Sequence, residues 1–392
     1  MRNESEPWMV QRIKTDAQGN GGTVFVLNSL CLGGSEKKMV AISNALFAAG
    51  YRIHIAYLCL PDTLAASIAP GITVVPLGRR GKFSFSALRR LCKYIRTEQI
   101  EHVVAVNLYP LLYACLASRI SRPRRTCVAL INSFDQRSRR EEWFMKIYAP
   151  LLRRCDLLVF GSELQKTKWL KAYGLDSKRC RTVYNGVDTT YYRPAPASRQ
   201  TERKLGFGAS DFVIGTVGVL RPEKRQVDLL HAAGVLKRRG IPVRVLLVGD
   251  GPCAAHLRKV AQELDLTESV VFYGLADDVR PLLAVMDVFV LSSVTETFSN
   301  AALEAMASGC CVVLSDVGGA REMVVDGESG YVYAPGDVPE LARLLGVLYG
   351  DQTTKRRLSA AARARVVEHF SYNQMLGGYQ KYVISAAPNV SC

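Results

Sequence analysis

The 392-residue chain has no apolar run that reaches the roughly 18 residues needed by a membrane-spanning helix. Its longest candidate, residues 103–117, is interrupted by Asn107 and Pro110. The first 22 residues are polar and contain no apolar core of a signal peptide. These absences predict a cytoplasmic protein.

Several motifs that define catalytic or metal sites are also missing. The chain has no D-x-D, Walker A, H-E-x-x-H or G-x-S-x-G sequence. Its five histidines do not cluster, and His54 and His102 lie in or beside apolar strands, where we expect core or edge residues. The eleven cysteines are odd in number and lack zinc-ligand spacing, which favours reduced thiols over disulfides or a metal site.

Apolar runs rich in Val, Ile and Leu alternate with helix-length segments through two successive halves of the chain. Such runs are typical of parallel strands covered on both faces. We predict an α/β protein with two doubly wound, Rossmann-like domains facing a central cleft. The predicted boundaries are a polar, flexible N-terminus at 1–22, a first domain at 23–190, a linker at 191–210, a second domain at 211–370, and a C-terminal helix at 371–392 that returns to the first domain.

The stretch TETFSNAALEAMASG, residues 295–309, follows a predicted strand and opens a helix. Ser299 can cap this helix and Gly309 can end it. On a parallel sheet the helix start faces the ligand side, where unpaired amides and the helix dipole stabilise a phosphate. Glu296 and Glu304 could then bind sugar hydroxyls, although an ordinary surface helix would carry the same residues.

Two carboxylates cannot bind a phosphate, so the site needs cations. Arg221 and Lys224 follow the first strand of the second domain, and each could bind a diphosphate. In the first domain, Gly33 and Gly34 precede a helix and would allow a backbone to approach a ligand closely. Taken singly, Arg221 and Lys224 are as compatible with a solvated loop as with ligand binding, and a Gly-Gly pair before a helix is more often an ordinary turn.

Segment 271–337, together with GGSEKKMVAISNALFAAGY, VYNGVD, GVLRPEKRQVDLL and VGDGP, resembles the retaining family-four glycosyltransferases of the GT-B fold. The pair Glu296 and Glu304 matches the E-x7-E motif of that family, and Gly318, Gly319 and Glu322 follow as GG-x-x-E. The resemblance implies a metal-independent transferase that uses a nucleoside-diphosphate sugar.

The resemblance also implies roles for individual residues. Glu296, Arg221 and Lys224 would be catalytic, and the two cations would grip the donor diphosphate. The remaining donor contacts would be Glu304 at the ribose, Gly274 and Leu275 near the base, and Phe298, Ser299, Asn300 and Ala301 around the sugar and phosphate. Gly33, Gly34 and Asn132 would line the first-domain wall of the cleft.

The chain departs from the family pattern at several positions. Val219 stands where the family often has an arginine that Arg221 would replace, Thr297 replaces a glycine, and Cys311 replaces a proline. The segment Asn132–Asp135 has no counterpart of the family histidine near the donor sugar.

The implied mechanism is front-face attack with retention, in which the departing phosphate takes the acceptor proton. It needs no cofactor, no metal and no protein base.

The net charge of +16 is unevenly distributed. Residues 1–205 hold 33 Lys and Arg against 15 Asp and Glu, so an anionic partner is expected there. Segments 79–96 and 119–154 are predicted to attach the chain peripherally to an anionic membrane that carries a lipid-linked glycan acceptor. The apolar side of 79–96 is more simply a helix face packed on the sheet, and no nucleic-acid-binding module is present.

Two other functions remain open from the sequence. A nucleotide-sugar epimerase of the same fold would need acid and base residues that we do not find in the predicted cleft. A non-catalytic sugar-nucleotide-binding scaffold is disfavoured by the intact set of Arg221, Lys224, Glu296 and Glu304. A Rossmann dehydrogenase is disfavoured because no G-x-G-x-x-G follows either opening strand.

Overall fold

The computed structural model describes residues 21–31, 33–132, 139–208 and 210–385. All but the last two residues of the predicted flexible N-terminus lie outside these ranges, as do Ser133–Asp135 and the last seven residues of the chain. Part of the basic segment 119–154 also falls outside. The helices and strands below belong to the described residues.

The N-terminal half of the chain alternates strands and helices as its composition predicts. Its strands form one parallel sheet in the order β3-β2-β1-β4-β5-β6-β7. The elements are β1 (Gly22–Leu27), α1 (Gly34–Ala48), β2 (Ile53–Tyr57), β3 (Thr73–Pro76), α2 (Phe85–Thr97), β4 (Ile100–Val106), α3 (Leu108–Ile120), β5 (Thr126–Ile131), α4 (Arg139–Leu152), β6 (Leu157–Phe160), α5 (Glu163–Tyr173) and β7 (Cys180–Thr182).

The C-terminal half repeats the pattern with a six-stranded parallel sheet in the order β10-β9-β8-β11-β12-β13. Its elements are α6 (Arg199–Leu205), β8 (Phe212–Val217), α7 (Gln226–Arg238), β9 (Val243–Val248), α8 (Ala254–Glu263), β10 (Val270–Gly274), α9 (Arg280–Leu283), β11 (Val288–Leu291), α10 (Asn300–Ala307), β12 (Cys311–Ser315), α11 (Ala320–Met323), β13 (Tyr331–Tyr333), α12 (Val338–Gly350), α13 (Gln352–His369) and α14 (Tyr372–Tyr379), which continues as a π-helical turn at Gln380–Ile384.

The second sheet is covered on both faces, as expected for a doubly wound domain. Along β11, Phe289 and Leu291 belong to one hydrophobic cluster, whereas Val288 and Val290 belong to another. Successive side chains of a strand point to opposite faces, so each cluster is the packed layer on one face. Strands that are buried on both faces need the continuous apolar runs seen in the sequence.

The chain divides into two compact units. One contains the described residues through Phe160, Lys166–Val183, and the described residues from Leu376 onward; the other contains Gly161–Gln165 and Tyr184–Met375. The predicted linker, 191–210, includes the helix α6 and lies within the second unit. No helix among the described residues is both long and apolar enough to span a bilayer.

Candidate functional site

The loops that follow β8, β10 and β11 lie at one edge of the second sheet, because its strands are all parallel. β11 is next to β8, and β10 lies on the other side of β8 beyond β9. At about 4.8 Å between neighbouring strands, the three loops span about 14 Å of this edge. The segments Arg221–Lys224, Gly274–Leu275 and Glu296–Ala301 are therefore aligned along one edge, although they are far apart in sequence.

The loop after β8 is packed closely against the loop after β9. A Cβ added to Gly249 would lie 2.0 Å from the carbonyl oxygen of Gly218, and one added to Gly251 would lie 2.5 Å from that of Leu220. No side chain fits at such distances, so glycine is required at both positions in the loop after β9. The fixed loop presents Arg221, whose side chain is exposed at the carboxyl end of β8.

Lys224 and Glu296 come together from the loops after β8 and β11. The Lys224 ammonium forms an ion pair with Oε1 of Glu296, and the Ser293 hydroxyl donates to the same oxygen at 3.2 Å. The side chains of Lys224 and Glu296 are 30% and 16% exposed, so solvent reaches the cation more than the carboxylate. The Ser292 hydroxyl also donates to the Lys224 carbonyl at 2.9 Å and ties the two loops together.

Two glycines, Gly318 and Gly319, pack against the loop that carries Glu296. A Cβ on Gly318 would lie 2.1 Å from the Glu296 carbonyl oxygen, and one on Gly319 would lie 2.4 Å from the ring of Phe298. The Gly319 amide donates to the Thr297 carbonyl at 2.9 Å, and Gly318 has a φ of +55°. The two glycines therefore hold the backbone that carries Glu296.

Helix α10 begins as its sequence predicts. Ser299 is its N-cap and accepts a hydrogen bond from the Ala302 amide, and Gly309 follows the helix with a φ of +82°. Asn300 is exposed and Ala301 is half-buried in the first turn. The amides of a first turn have no intrahelical partners and lie at the positive end of the helix dipole. This turn can bind an anion beside Arg221 and Lys224.

The side chain of Phe298 lies in the core, and its backbone carbonyl is bonded within the same unit. Its side chain is buried between the rings of Tyr184 and Phe370, with centroids 5.0 and 5.2 Å away. Its carbonyl oxygen accepts a hydrogen bond of 2.7 Å from the Asn185 side chain. The Phe298 ring is thus a core group of this unit and has a packing role.

Glu304 lies one turn further along α10 and is only partly exposed. Burial raises the pKa of its carboxyl to about 7, and a hydrogen bond from the Tyr192 hydroxyl partly opposes this shift. Burial, and after it the charge of Glu304, raises the pKa of the Tyr192 hydroxyl. Glu304 can therefore gain or lose a proton near neutral pH.

Gly274 and Leu275 lie at the carboxyl end of β10. Gly274 has a φ of +81°, and its carbonyl accepts from the Gly249 amide at 2.8 Å. Leu275 is 81% exposed. An exposed apolar side chain next to a backbone turn offers an apolar contact for an aromatic base.

The first-unit residues form a separate group near the ends of β1 and β5. Gly33 is the N-cap of α1, which begins at Gly34. The Lys38 ammonium, on α1, donates a hydrogen bond of 2.7 Å to Oδ1 of Asn132, just after β5. Burial lowers the pKa of Lys38 to about 8. The structure thus brings a half-buried amine to the side chain of Asn132.

The basic segment 79–96 contains the amphipathic helix α2. Leu91 and Ile95 are fully buried in the core of the first unit, which confirms that the apolar face packs on the protein. Arg89 and Arg90 are exposed on the helix, and Phe85 at its start is 78% exposed. His54 and His102 are buried in strands, as predicted.

The sequence analysis missed several residues that shape these groups. Ser293 contacts Glu296, Asn185 binds the Phe298 backbone, Tyr192 binds Glu304, and Lys38 binds Asn132. Each contact joins residues brought together by the fold, except Ser293, whose spacing of three from Glu296 is a local signal. Tyr192 lies in a Pro- and Ser-rich stretch that predicts a linker, and this composition gives no sign of a contact with Glu304.

The two halves of the chain match two family descriptions. Residues 32–191 match Glycosyltransferase Family 4, and residues 198–365 match Glycosyl transferases group 1. Together the matches take in more than half of the chain. The chain therefore belongs to the group 1, family-four glycosyltransferases, a class of transferase enzymes, as the sequence predicts.

Named relatives support this assignment over part of their length. The chain is 30% identical over 204 residues to N-acetyl-alpha-D-glucosaminyl L-malate synthase of Bacillus anthracis, covering 52% of this chain and 53% of that protein. It is 34% identical over 143 residues to the lipopolysaccharide core biosynthesis glycosyltransferase LpsE of Rhizobium meliloti, covering 36% of this chain and 42% of that protein. The chain thus spans about half the length of the curated relatives it matches.

Solved structures confirm the fold. The crystal structure of Anabaena Alr3699/HepE in complex with UDP aligns with a TM-score of 0.83 at 22% identity and covers 93% of this chain and all of that one. Both sheets and the element order of the GT-B fold are therefore present. At this identity the likeness shows the fold alone.

Proposed function

We propose that the chain transfers a sugar from a nucleoside-diphosphate sugar to a glycan acceptor, with retention of configuration and without a metal ion. The observation that carries this proposal is the pairing of Lys224 with Glu296, beside Arg221 and the first turn of α10. This arrangement places cations and exposed amides next to a carboxylate. A sugar diphosphate offers the complementary groups, because its phosphates are anionic and its sugar hydroxyls donate to carboxylates.

The edge of the second sheet suits the donor in an extended form. We assign the base to Gly274 and Leu275, the ribose to Glu304, and the diphosphate to Arg221, Lys224 and the first-turn amides of α10. The sugar would then meet Glu296, with Ser299, Asn300 and Ala301 forming the helix start beneath the phosphates. Uridine nucleotides are the first to test, because the Anabaena structure is described as a complex with UDP.

The chemistry is a substitution at the anomeric carbon of the donor sugar. The bond from this carbon to the diphosphate oxygen breaks, and the acceptor oxygen bonds to the carbon on the same face. The acceptor proton passes to the departing phosphate oxygen, so charges and atoms balance without a protein base. Lys224, Arg221 and the helix dipole stabilise the charge that develops on the leaving group.

The same proposal gives Lys224 two partners in turn. It neutralises Glu296 in the structure described here, and it would move to the diphosphate when the donor binds. Glu296 would then be free to accept hydrogen bonds from the sugar. A ligand must break the ion pair between Lys224 and Glu296 to bind. The site therefore favours ligands that give Lys224 an anion and give Glu296 hydroxyl donors.

The acceptor is proposed to be a lipid-linked glycan at the cytoplasmic leaflet, used in the assembly of cell-surface polysaccharide or lipopolysaccharide. The basic surplus of residues 1–205 supports this, as do exposed Phe85 and the exposed arginines of α2. Each basic residue near an anionic leaflet contributes about 1 kcal/mol of binding. The relative from Rhizobium meliloti is named for lipopolysaccharide core biosynthesis, which agrees with this setting.

Diphosphate release from a panel of UDP-, GDP- and ADP-sugars tests the proposal. With a glycan acceptor present, release should occur with one donor class even in EDTA, and NMR of the glycosylated acceptor should show the donor's anomeric configuration. Donor binding without release would indicate a scaffold, and conversion of the free sugar nucleotide to its epimer would indicate an epimerase. An inverted product or an absolute need for a divalent metal would contradict the proposed mechanism.

A further inference from the structure

The core of the first unit contains three cysteines that the sequence places far apart. Cys115 lies on α3, Cys127 on β5, and Cys155 between α4 and β6. Each is at most 1% exposed. Their Sγ atoms are 3.5 Å apart for Cys115 and Cys127, 3.6 Å for Cys115 and Cys155, and 4.0 Å for Cys127 and Cys155. The sulfurs thus form a compact triangle.

We propose that Cys115, Cys127 and Cys155 bind one thiophilic d10 cation, Zn²⁺ in the first instance, as a structural site. Among the described residues, this is the one group of His, Cys, Asp or Glu with ligand atoms close enough to share an ion. Thiolates are the ligands that select zinc and copper(I) over hard cations. The site is distinct from the proposed donor site, whose residues lie in the second unit.

The dimensions of the triangle match those of zinc coordination. A circle through the three sulfurs has a radius of about 2.1 Å, whereas zinc–sulfur bonds are about 2.3 Å long. An ion at that distance from all three sulfurs would lie about 0.8 Å out of their plane. This is the position of the metal in a tetrahedral site with three sulfur ligands, so the sulfurs need little movement to bind it.

A fourth position and a balancing charge are also available. The Leu151 carbonyl oxygen lies 3.4 Å from Sγ of Cys155 and 3.9 Å from Sγ of Cys115. Sulfur and oxygen ligands on one tetrahedral zinc ion are about 3.5 Å apart. The Arg119 guanidinium donates to the Cys115 carbonyl at 3.2 Å. Three thiolates and one Zn²⁺ carry one net negative charge, and Arg119, which is exposed on α3, supplies an opposite charge close to the site.

Zinc here would join three elements of the first unit at one point. Closed structural zinc sites contribute directly to folding stability. The simpler alternative is that the thiols pack as small apolar groups, with Cys155 donating to the Leu151 carbonyl. A disulfide between two of the cysteines is a further alternative, and it would consume two of the three ligands.

The test uses the full chain, purified under reducing conditions and stripped of metal. Zn²⁺ is titrated against a chromophoric chelator, and Co²⁺ is added separately to follow sulfur-to-cobalt charge-transfer absorption and the intense visible bands of tetrahedral cobalt. We expect one ion per chain and a higher Tm with Zn²⁺. Cys115→Ser should weaken Zn²⁺ binding at least about tenfold, whereas Cys180→Ala, a buried cysteine of the same unit outside the triangle, should not.

The wild-type cobalt spectrum keeps the proposal testable if Cys115→Ser fails to fold. Absence of the charge-transfer band, no retained zinc, or equal binding by wild type and Cys115→Ser would overturn it and leave packed thiols. Intact mass after exposure to air gives a third outcome. A disulfide among these cysteines that forms readily even with Zn²⁺ present would also overturn the proposal.

Discussion

Gly318 lies directly against the backbone of Glu296, so that a Cβ at position 318 would be 2.1 Å from the Glu296 carbonyl oxygen. The contact joins the turn after β12 to the loop after β11, two neighbouring strands. It makes the geometry of a proposed catalytic carboxylate depend on a residue 22 positions away. A substitution at Gly318 therefore tests the site without removing any functional group.

We expect Gly318→Ala to lower donor affinity and stability together. The new methyl must displace the Glu296 backbone, and its φ of +55° also disfavours a side chain. Gly327→Ala is the matched control, because Gly327 has a φ of +76° but nothing within 4 Å of an added Cβ. The free energy of unfolding of Gly327→Ala should fall only by the cost of placing a side chain in the left-handed conformation, about 1–2 kcal/mol.

Calorimetric titration with the nucleotide and chemical denaturation measure the two effects. Gly318→Ala should bind the donor more than tenfold more weakly than Gly327→Ala does, as a rough guide from displaced site residues. Equal donor affinity in the two variants would show that the Glu296 backbone does not set the site.

Lys224→Ala should reduce turnover more than it reduces donor binding. The cation is proposed to act mainly on the charge that develops on the leaving diphosphate, and removing one such group costs about 10²–10³ in kcat. Steady-state kinetics with the accepted donor provide the measurement. Lys237→Ala is the control, since Lys237 is an exposed cation of the same unit, paired with Asp265. A Lys224→Ala enzyme with wild-type kcat would remove Lys224 from the catalytic set.

Glu304 should make the stability of the free protein depend on pH. Burial raises its folded pKa from 4.5 to about 7, so the native state binds this proton more tightly than the unfolded chain does. The resulting stability is fully present below pH 4.5 and is lost as the pH rises through about 7. Glu304→Gln removes the effect. The wild type should therefore lose roughly 1–3 kcal/mol relative to Glu304→Gln across this range.

Urea denaturation at several pH values between 4.5 and 8 measures that difference, with exposed Glu328→Gln as the control. Donor affinity should follow the opposite course, because an ionised carboxylate accepts hydrogen bonds from a ribose diol on both oxygens, whereas protonation turns one oxygen into a donor and removes the charge. Affinity of the wild type should rise through pH 7, and Glu304→Gln should bind weakly at every pH. A pH-independent affinity in the wild type would place the ribose elsewhere.

Removing three basic side chains of α2, in the variant R89A/R90A/K93A, should weaken binding to anionic vesicles. At about 1 kcal/mol for each residue, the loss should be about a hundredfold. Sedimentation with vesicles of phosphatidylcholine alone and of phosphatidylcholine with phosphatidylserine provides the measurement. K237A/R238A/K259A removes the same charge from exposed positions of the second unit and should bind as the wild type does. Equal sedimentation of the two variants would exclude α2 as the attachment surface.

The sequence was sufficient for the fold because local chemistry determines its elements. The run Val288–Leu291 is apolar at every position and is buried on both faces of its strand. Ser299 and Gly309 mark the two ends of α10 through capping and a left-handed turn, both of which depend only on nearby residues. The alternation of such segments then leaves few arrangements other than two parallel sheets.

The site is less predictable than the fold, because its contacts join residues that are far apart in the sequence. The strand pattern predicts that Arg221, Lys224 and Glu296 lie at strand ends. It does not predict the ion pair between Lys224 and Glu296. The aromatic ring of Phe298 could have faced ligand or core, and only the positions of Tyr184 and Phe370 decide for the core. Cysteines 115, 127 and 155 lack motif spacing because the fold brings their sulfur atoms together from three separate segments.

The backbone contact between Gly249 and Gly218 has a consequence for how specificity can diversify. Gly249 cannot change alone, since an added methyl group would lie 2.0 Å from the carbonyl oxygen of Gly218. Substitutions at Gly249 should therefore be selected against. Substitutions at Val219 and Leu275 should be tolerated, because these side chains are 42% and 81% exposed at the same edge. New donor preferences should therefore arise by exchanging those two side chains on an invariant backbone, and a two-position library would sample them.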